Sequence, residues 1–266
     1  MLMRRGLRVV LSVGWLAACT NLENPAPPQQ NQLVVHAVLD AQAGEQTVLI
    51  YRARTGASST SASGIGDDEP VAGAILTLTA PNGTTIGAAR RTDDAGACCV
   101  PGTYFFELPP SGVVLADGGT YALHARIPSG EEVSGTTTMP APTVVIGLTP
   151  RVFFRLRDTL RLSWPHVPGA RSYELILRSE RFGDEYRTFT DTAIAIPGTA
   201  LTLAGDEIFP PGAPVNVVVS AVDANYYDYY RAQSDPFAGA APSHLTGAVG
   251  VFGSVAPILV TQLQVR

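Results

Sequence analysis

Cys19 is the residue of this sequence whose surroundings point most clearly to a chemical reaction. It ends the stretch Leu16-Ala17-Ala18-Cys19, in which apolar and small residues precede a cysteine. This pattern is typical of a lipobox, where the thiol is diacylated, the chain is cut before the cysteine, and the new amino group is usually acylated too. We therefore predict lipidation of Cys19. The alternative is an ordinary signal peptide in which the cysteine occurs by chance.

Residues 1–18 have the features of a secretory signal peptide. Arg4 and Arg5 provide the positive charge near its start, and an apolar run follows. A hydrocarbon core about 30 Å thick needs roughly 20 helical residues, so we predict a cleaved signal and not a retained span. Several acyl chains would anchor the protein stably, whereas one chain binds a membrane only marginally. Thr20 stands where inner-membrane retention signals carry Asp, which favours the outer membrane. The side of that membrane, periplasmic or cell-surface, stays open.

The other two cysteines, Cys98 and Cys99, are adjacent in the sequence. They could bond to each other, cross-link two chains or remain thiols. A vicinal disulfide closes a tight ring with a distorted peptide, so such a bond would be strained and comparatively reducible. The plainer alternative is a pair of small side chains in an oxidising compartment that have no catalytic role.

The side chains typical of enzymes form no recognisable catalytic constellation. The four histidines lie far apart and lack metal-ligand spacing: His36, His124, His166 and His244. The sequence also lacks a nucleophile elbow, an H-E-x-x-H motif, a phosphate-binding loop and a calcium-binding loop. We therefore predict that the protein is not an enzyme, and that it has no cofactor, no metal site and no catalytic residue.

One aromatic cluster is the candidate binding site. Tyr226, Tyr227, Tyr229 and Tyr230 flank Asp228. Tyrosine combines a rigid apolar ring with a polar tip, which suits a contact with a ligand or partner. If the segment is extended, positions 227 and 229 share one face and positions 226 and 230 share the other, so at most half of the rings enter the core. The alternative is that these tyrosines only fill the edge of a sandwich.

Charge and hydropathy restrict the partners. The chain has 266 residues and a net charge of −5. Removing the signal takes away arginines and no acidic residue, so the mature chain is more negative. A negative protein is poorly suited to a nucleic-acid partner. No later apolar run approaches 18 residues, so the sequence predicts no membrane-spanning helix.

The rest of the chain reads as strands and turns. Short apolar or alternating runs such as residues 33–39, 47–51 and 74–80 are divided by Gly, Pro, Asn and Asp. No window of a dozen residues shows a clear helical period. We therefore predict an all-β protein, long enough for two domains. The predicted parts are a signal peptide (1–18), a Pro- and amide-rich lipidated tether (19–32), an N-terminal β-sandwich (33–139) and a C-terminal β-sandwich (140–266).

The C-terminal half has the more specific pattern. Residues 160–164 alternate towards Trp164, residues 167–170 form a turn, and residues 173–177 alternate back. A tryptophan at such a position can fill the space between two packed sheets. The pattern resembles the B and C strands of fibronectin type III domains and implies a sandwich of that kind. Val215 stands where that family usually has tyrosine, so the tyrosine corner is missing.

The N-terminal half resembles a different immunoglobulin-like module. Its motifs are residues 71–78, Thr92-Asp93 before Gly96, and the tripeptides at 102–104 and 119–121, both Gly-Thr-Tyr. Their order is similar to that of the transthyretin-related sandwich that precedes many outer-membrane receptors. This resemblance implies a transthyretin-like or immunoglobulin-like N-terminal sandwich.

Taken together with the lipobox and the tyrosines, the glycine-rich stretch at 247–253 extends the resemblance to the whole mature chain. Residues 19–260 resemble the outer-membrane lipoprotein family known as domain of unknown function 4249, whose members tend to end in G-x-G-x-F-G after a tyrosine-bearing strand. Ala248 interrupts that pattern here. No helix is expected to follow these glycines and hold a phosphate, so we predict closely packed or edge strand structure.

The family resemblance implies a place of action. Members are often partnered with TonB-dependent outer-membrane receptors, and the family has no agreed catalytic residues to transfer. We therefore expect a non-catalytic accessory or binding subunit of a TonB-dependent uptake system. The alternative is a carbohydrate-binding or peptide-binding adhesion module that works alone.

Overall fold

The computed structural model describes residues 31–54, 69–88, 102–107, 115, 117–146, 152–179, 185–234 and 242–266. The predicted all-β class is confirmed, because almost every element in these ranges is a strand. The first half contains β1 (Asn31–Asp40), β2 (Glu45–Arg54), β3 (Glu69–Pro70), β4 (Ile75–Thr79), β5 (Thr85–Gly87), β6 (Thr103–Glu107), β7 (Thr120–Arg126) and β8 (Glu132–Thr138).

The second half contains a further set of strands and a helix. They are β9 (Val152–Phe153), β10 (Thr159–Ser163), β11 (Ser172–Ser179), β12 (Glu185–Thr190), β13 (Ala193–Pro197), β14 (Pro214–Val222), α1 (Ala224–Ser234), β15 (Leu245–Thr246) and β16 (Val249–Val265). The first strand begins at Asn31, two residues inside the predicted tether.

A nine-stranded mixed sheet runs through both halves. Its main path has the order β12-β11-β14-β16-β1-β2-β3, with β6 on β2 and β9 on β16. A five-stranded sheet, β15-β8-β7-β4-β5, covers the first half, and the pair β10-β13 covers the second. The layers are therefore those of sandwiches built on one shared sheet.

The strand β16 joins the two halves. Residues 249–255 pair in parallel with residues 34–40 of β1. Residues 255–264 then pair in antiparallel fashion with residues 214–222 of β14. This differs from the predicted division, which gave all of 140–266 to the second sandwich. The free edge of β1 would otherwise expose unpaired backbone groups, and the last strand of the chain covers it.

Each sandwich has its own core, and both cores lie on one face of the nine-stranded sheet. The first core holds Val35, Ala37, Phe252 and Ala256, with side chains of β4, β7 and β8 from the covering sheet. The second holds Tyr173, Leu175 and Leu177 of β11 with side chains of β10, β13, β14 and the end of β16. Ala221 belongs to the second core and pairs with Ala256 of the first. Directly paired residues share a face, so the cores lie on the same side.

Trp164 lies in the second core as predicted. Its side chain is 3% exposed, and its ring centroid lies 5.2 Å from that of Tyr173. The Tyr173 hydroxyl accepts a hydrogen bond from the Val167 backbone at 2.9 Å, which fixes the turn between β10 and β11. The alternating run from 160 to 164 therefore does what the sequence predicted.

The prediction of an extended tyrosine segment is wrong. Tyr226 to Tyr230 lie in helix α1. The helix begins after Asp223, whose carboxylate oxygen Oδ1 accepts a hydrogen bond from the Tyr226 backbone N–H at 2.9 Å. Aspartate is among the preferred residues for such a cap. In a helix, positions 226 and 230 share a face because they are four residues apart.

The glycines before and within β16 are closely packed, as predicted. Gly247 (φ 83°) and Gly250 (φ 114°) have left-handed backbone conformations that favour glycine. A Cβ atom on Gly247 would collide with the backbone oxygen of Glu132, and one on Gly250 with that of Val35. These glycines let the chain cross from the five-stranded sheet to the nine-stranded one.

Candidate functional site

The predicted site residues divide into two groups in the structure. Cys19, Cys98 and Cys99 lie outside the described residues, so lipidation and the vicinal disulfide stay predictions. The four tyrosines of the cluster all lie on α1, which packs against β16.

Helix α1 lies on the face of the nine-stranded sheet opposite the two cores. Two contacts place it there. Glu174 alternates with core residues of β11, and it accepts a hydrogen bond from the Tyr226 hydroxyl. His36 alternates with core residues of β1, and its Nε2 lies 2.7 Å from the Tyr230 hydroxyl. Since neighbours along a strand point to opposite faces, both partners face away from the cores.

The start of the helix is fixed by a buried polar network. The Thr137 hydroxyl donates a hydrogen bond to the Asp223 carboxylate at 2.7 Å, and the Ser254 backbone N–H donates another at 3.1 Å. Burial raises the pKa of the Asp223 carboxyl, and these donors oppose that rise. The side-chain amide of Asn225 donates to the backbone oxygens of Thr136 and Phe252 at 2.7 and 2.8 Å. The first turn is thus joined to strands of both halves.

Tyr226 is the buried anchor of the helix. Its side chain is 6% exposed, and its hydroxyl donates to Glu174 Oε2 at 2.9 Å. Burial, with the nearby Glu174 charge, raises the pKa of the hydroxyl, so it stays protonated and remains a donor. Its ring packs on Tyr230 with centroids 4.3 Å apart. Tyr226 is therefore structural.

Glu174 is a buried carboxylate with a cationic partner. Burial raises its pKa, and the Arg187 guanidinium opposes that effect from 3.1 Å. Arg187 also contacts Glu185 at 3.0 Å, and Glu185 contacts the Nε of Arg178 at 3.2 Å. The ionic network supports the sheet beneath the helix.

Tyr230 and Tyr229 connect the helix to β1. The Tyr230 ring meets His36 edge-on with centroids 6.1 Å apart, and Tyr229 meets the same imidazole at 6.0 Å. Burial raises the pKa of Tyr230 to about 12 and lowers that of His36. The imidazole is therefore held in its neutral form under the helix.

Tyr227 has a different environment, the side of the helix turned towards β12. Phe189 meets its ring edge-on with centroids 5.2 Å apart. The guanidinium carbons of Arg171 and Arg231 lie 5.3 and 5.7 Å from the ring centroid, which is cation–π distance. An open pocket of about 340 Å³ adjoins the ring. We call it the Tyr227 pocket, and its lining is Arg171, Ser172, Phe189, Thr190, Asp191 and Tyr227.

Asp228 holds the segment that leads into β15. Its carboxylate lies 2.9 Å from Nε2 of His244. This contact joins the helix to the chain just before the first-half sheet is reached, so Asp228 has a partner of its own and lies apart from the Tyr227 pocket lining.

The search for catalytic and metal-binding groups is limited to the described residues. Within them there is no group of three or more His, Cys, Asp or Glu side chains placed to hold a metal ion. No helix in the same part of the chain is long and apolar enough to cross a membrane. The aromatic helix is the arrangement there that offers a surface for recognition.

These features define an all-β sandwich protein that carries an aromatic helix on its shared sheet. The chain belongs to the family described as domain of unknown function (DUF4249), whose pattern matches residues 20–257. No curated protein matches it.

Similarity to solved structures is weak. The FN1–FN3 domains of chicken CNTN1 are 12% identical, with 91% of this chain and 66% of that chain covered and a TM-score of 0.29. The BSP domain of a biofilm associated protein is 12% identical, with 88% and 29% covered and a TM-score of 0.26. A cytokine receptor complex is 16% identical, with 86% and 95% covered and a TM-score of 0.29. The chain thus spans less than two thirds of the first two structures. Scores this low do not establish a shared fold, and the sandwich assignment rests on the strand pairing.

Sequence reasoning missed the partners of the tyrosines. Glu174, Arg187 and His36 lie on strands far from α1 in the chain, and no local pattern connects them with it. One signal was present, because Asp223 precedes the segment as an N-cap and the tyrosines recur at helical spacing.

Proposed function

We propose that this protein is a non-catalytic, lipid-anchored binding subunit of the outer membrane that works beside a TonB-dependent receptor. The observation that carries the proposal is Tyr227, a half-buried tyrosine flanked by Phe189, Arg171 and Arg231 on a helix that is otherwise fixed to the sheet. Tyrosine and arginine are enriched among the residues that dominate protein–protein binding energy.

The rigidity of α1 supports a role in recognition. Its first turn is capped by Asp223, its buried face is held by Tyr226 on Glu174, and its far end is held by Tyr230 on His36. A surface that is already ordered loses little conformational entropy when a partner docks. The helix can therefore present Tyr227 in one orientation.

The predicted anchor supports the location. Lipid on Cys19 would leave twelve residues before Asn31, where the sheet begins, and an extended tether of that length reaches about 40 Å. This reach is enough to let the sandwiches contact a receptor in the same membrane. The family membership and the lipobox together favour the outer membrane.

Site-specific photocrosslinking in native outer membranes tests the proposal. A photoreactive amino acid replaces Tyr227 in one variant and Ile75, an exposed apolar residue of β4, in the control. We expect the Tyr227 variant to cross-link to a TonB-dependent receptor identified by mass spectrometry, and the Ile75 variant to give no such product. Absence of a receptor product at 227, or an equal yield at 75, contradicts the proposal.

A further inference from the structure

Ser179, the last residue of β11, is a buried polar side chain with nothing to bond to. It is 4% exposed, and its hydroxyl has no hydrogen-bond partner among the described residues. It continues the alternation of Leu175 and Leu177, so the hydroxyl points to the side of the second core. Buried hydroxyls are normally hydrogen-bonded, because an unmet one destabilises the fold.

The Ser179 hydroxyl borders a pocket of about 240 Å³ at the end of the second core. We call it the Ser179 pocket. One wall is apolar and includes Tyr186 and Ile208, and the other is polar and includes Asp206. The volume is below the range of about 300–1,000 Å³ that is typical for drug-sized ligands, so the pocket suits one small ring.

The charges around the pocket select the ligand. Glu185 is paired with arginines, and Glu207 is paired with Arg155 at 2.5 Å. Asp206 has a hydroxyl neighbour, Thr202, at 3.5 Å and no ion-pair partner in the described part of the chain. The polar wall therefore offers hydroxyls and a carboxylate that accepts hydrogen bonds. A ligand rich in hydroxyl donors would match it.

The loop that forms the polar wall also carries exposed apolar side chains. Leu201 and Leu203 both lie on the surface there. The loop is internally ordered, since the Thr202 backbone N–H donates to the Asp206 backbone oxygen at 2.8 Å and the Gly205 N–H donates to Thr202 at 3.0 Å. The pocket therefore has a preformed wall with an apolar rim.

We propose that the Ser179 pocket binds one monosaccharide unit, whose apolar ring face lies against Tyr186 and whose hydroxyls bond to Asp206 and Ser179. A pyranose has both surfaces, an apolar C–H face and a rim of donors. This site is separate from Tyr227, which lies on the opposite face of the sheet. It adds a ligand to the proposed function and does not depend on it.

Saturation-transfer difference NMR on the acyl-free chain of residues 20–266 tests the site, since the predicted lipid is not part of the pocket. The probes are D-glucose, D-galactose, D-mannose and N-acetyl-D-glucosamine, each titrated separately. We expect transfer to the ring protons of at least one sugar, with a loss of affinity of at least tenfold in both Ser179→Ala and Asp206→Asn. Asp191→Asn, a carboxylate change in the Tyr227 pocket, is the matched control and should bind as the unchanged chain does.

Ser179→Ala also separates binding from folding. Removing an unpaired buried hydroxyl should raise Tm by a few degrees while sugar binding is lost. A fall in Tm would show that the hydroxyl has a structural partner and would overturn the proposal. So would the absence of binding by all four sugars, unchanged binding in both pocket variants, or binding of ethylamine alone, which would indicate a cation site.

Discussion

A Cβ atom placed on Gly253 would lie 2.9 Å from both the Cβ atom and the backbone nitrogen of Tyr226. Helix α1 therefore rests directly on the backbone of β16, with no side chain between them. The contact brings the buried tyrosine of the helix to the strand that both halves share.

Gly253→Ala should destabilise the protein by about 1 to 3 kcal/mol, because the added methyl group overpacks a contact made by backbone atoms that cannot move aside. Urea denaturation measures the change in the free energy of unfolding. Gly44→Ala is the control, since nothing lies within 4 Å of its added Cβ atom. Equal stability of the two variants would mean that α1 does not rest on β16.

Tyr226→Phe should cost about 1 to 3 kcal/mol of unfolding free energy, because it leaves the buried Glu174 carboxylate without one donor. The same denaturation experiment checks this. Tyr227→Phe, which keeps the ring contacts of a half-buried residue, should change stability by less than about 0.5 kcal/mol. A loss for Tyr227→Phe as large as that for Tyr226→Phe would contradict the assignment of Tyr226 as the anchor.

His36 should make stability depend on acidity. Burial lowers the pKa of His36 from its usual 6.5. Below pH 6.5 the unfolded chain therefore binds a proton that the folded chain resists, and stability falls as the pH drops towards the folded pKa. Above pH 6.5 the effect is absent.

The measurement is the free energy of unfolding from pH 5 to 8 for the unchanged chain and for His36→Gln. We expect the difference between the two curves to change below pH 6.5 in favour of the variant. His166→Gln alters an exposed histidine and should leave the pH profile unchanged. A parallel profile for His36→Gln would mean that His36 titrates equally in both states.

Trp164→Ala should destabilise the second core by about 3 to 5 kcal/mol, because it leaves a void beside Tyr173. Leu156→Ala, a change at an exposed apolar residue, should be nearly neutral. Chemical denaturation of both variants checks the pair. A cost below about 1 kcal/mol for Trp164→Ala would be inconsistent with its burial.

Cys19→Ser should abolish acylation, because the serine hydroxyl does not replace the thiol that carries the lipid. Labelling with radioactive palmitate and membrane fractionation give the readout. Label in the variant, or an unmodified chain that fractionates away from membranes, contradicts the lipoprotein prediction. Cys98→Ser is the control and should be labelled like the unchanged chain.

The strands were predictable from the sequence because their information is local. Residues 33–39 alternate in hydropathy and fall within β1, and the run that ends at Trp164 gives β10. Turn residues between such runs mark their ends. The all-β class needed nothing more.

The helix and the shared strand were harder to predict for physical reasons. The tyrosines at 226 and 230 fit either a two-residue or a four-residue period, and the choice depends on the Asp223 cap and on distant partners such as His36. The parallel pairing of β1 with β16 depends on residues at opposite ends of the chain. The Ser179 pocket likewise forms only when β11 meets a later loop.

The position of β16 sets the order in which the protein can fold. Residues 249–255 complete the sheet beside β1, yet they are among the last to leave the ribosome. The first sandwich therefore stays unfinished until nearly the whole chain exists, and pairings between such distant residues form slowly. For a chain exported as an unfolded thread, this delay keeps it competent for passage, and closure of the final strand becomes the step that commits both halves to the folded state.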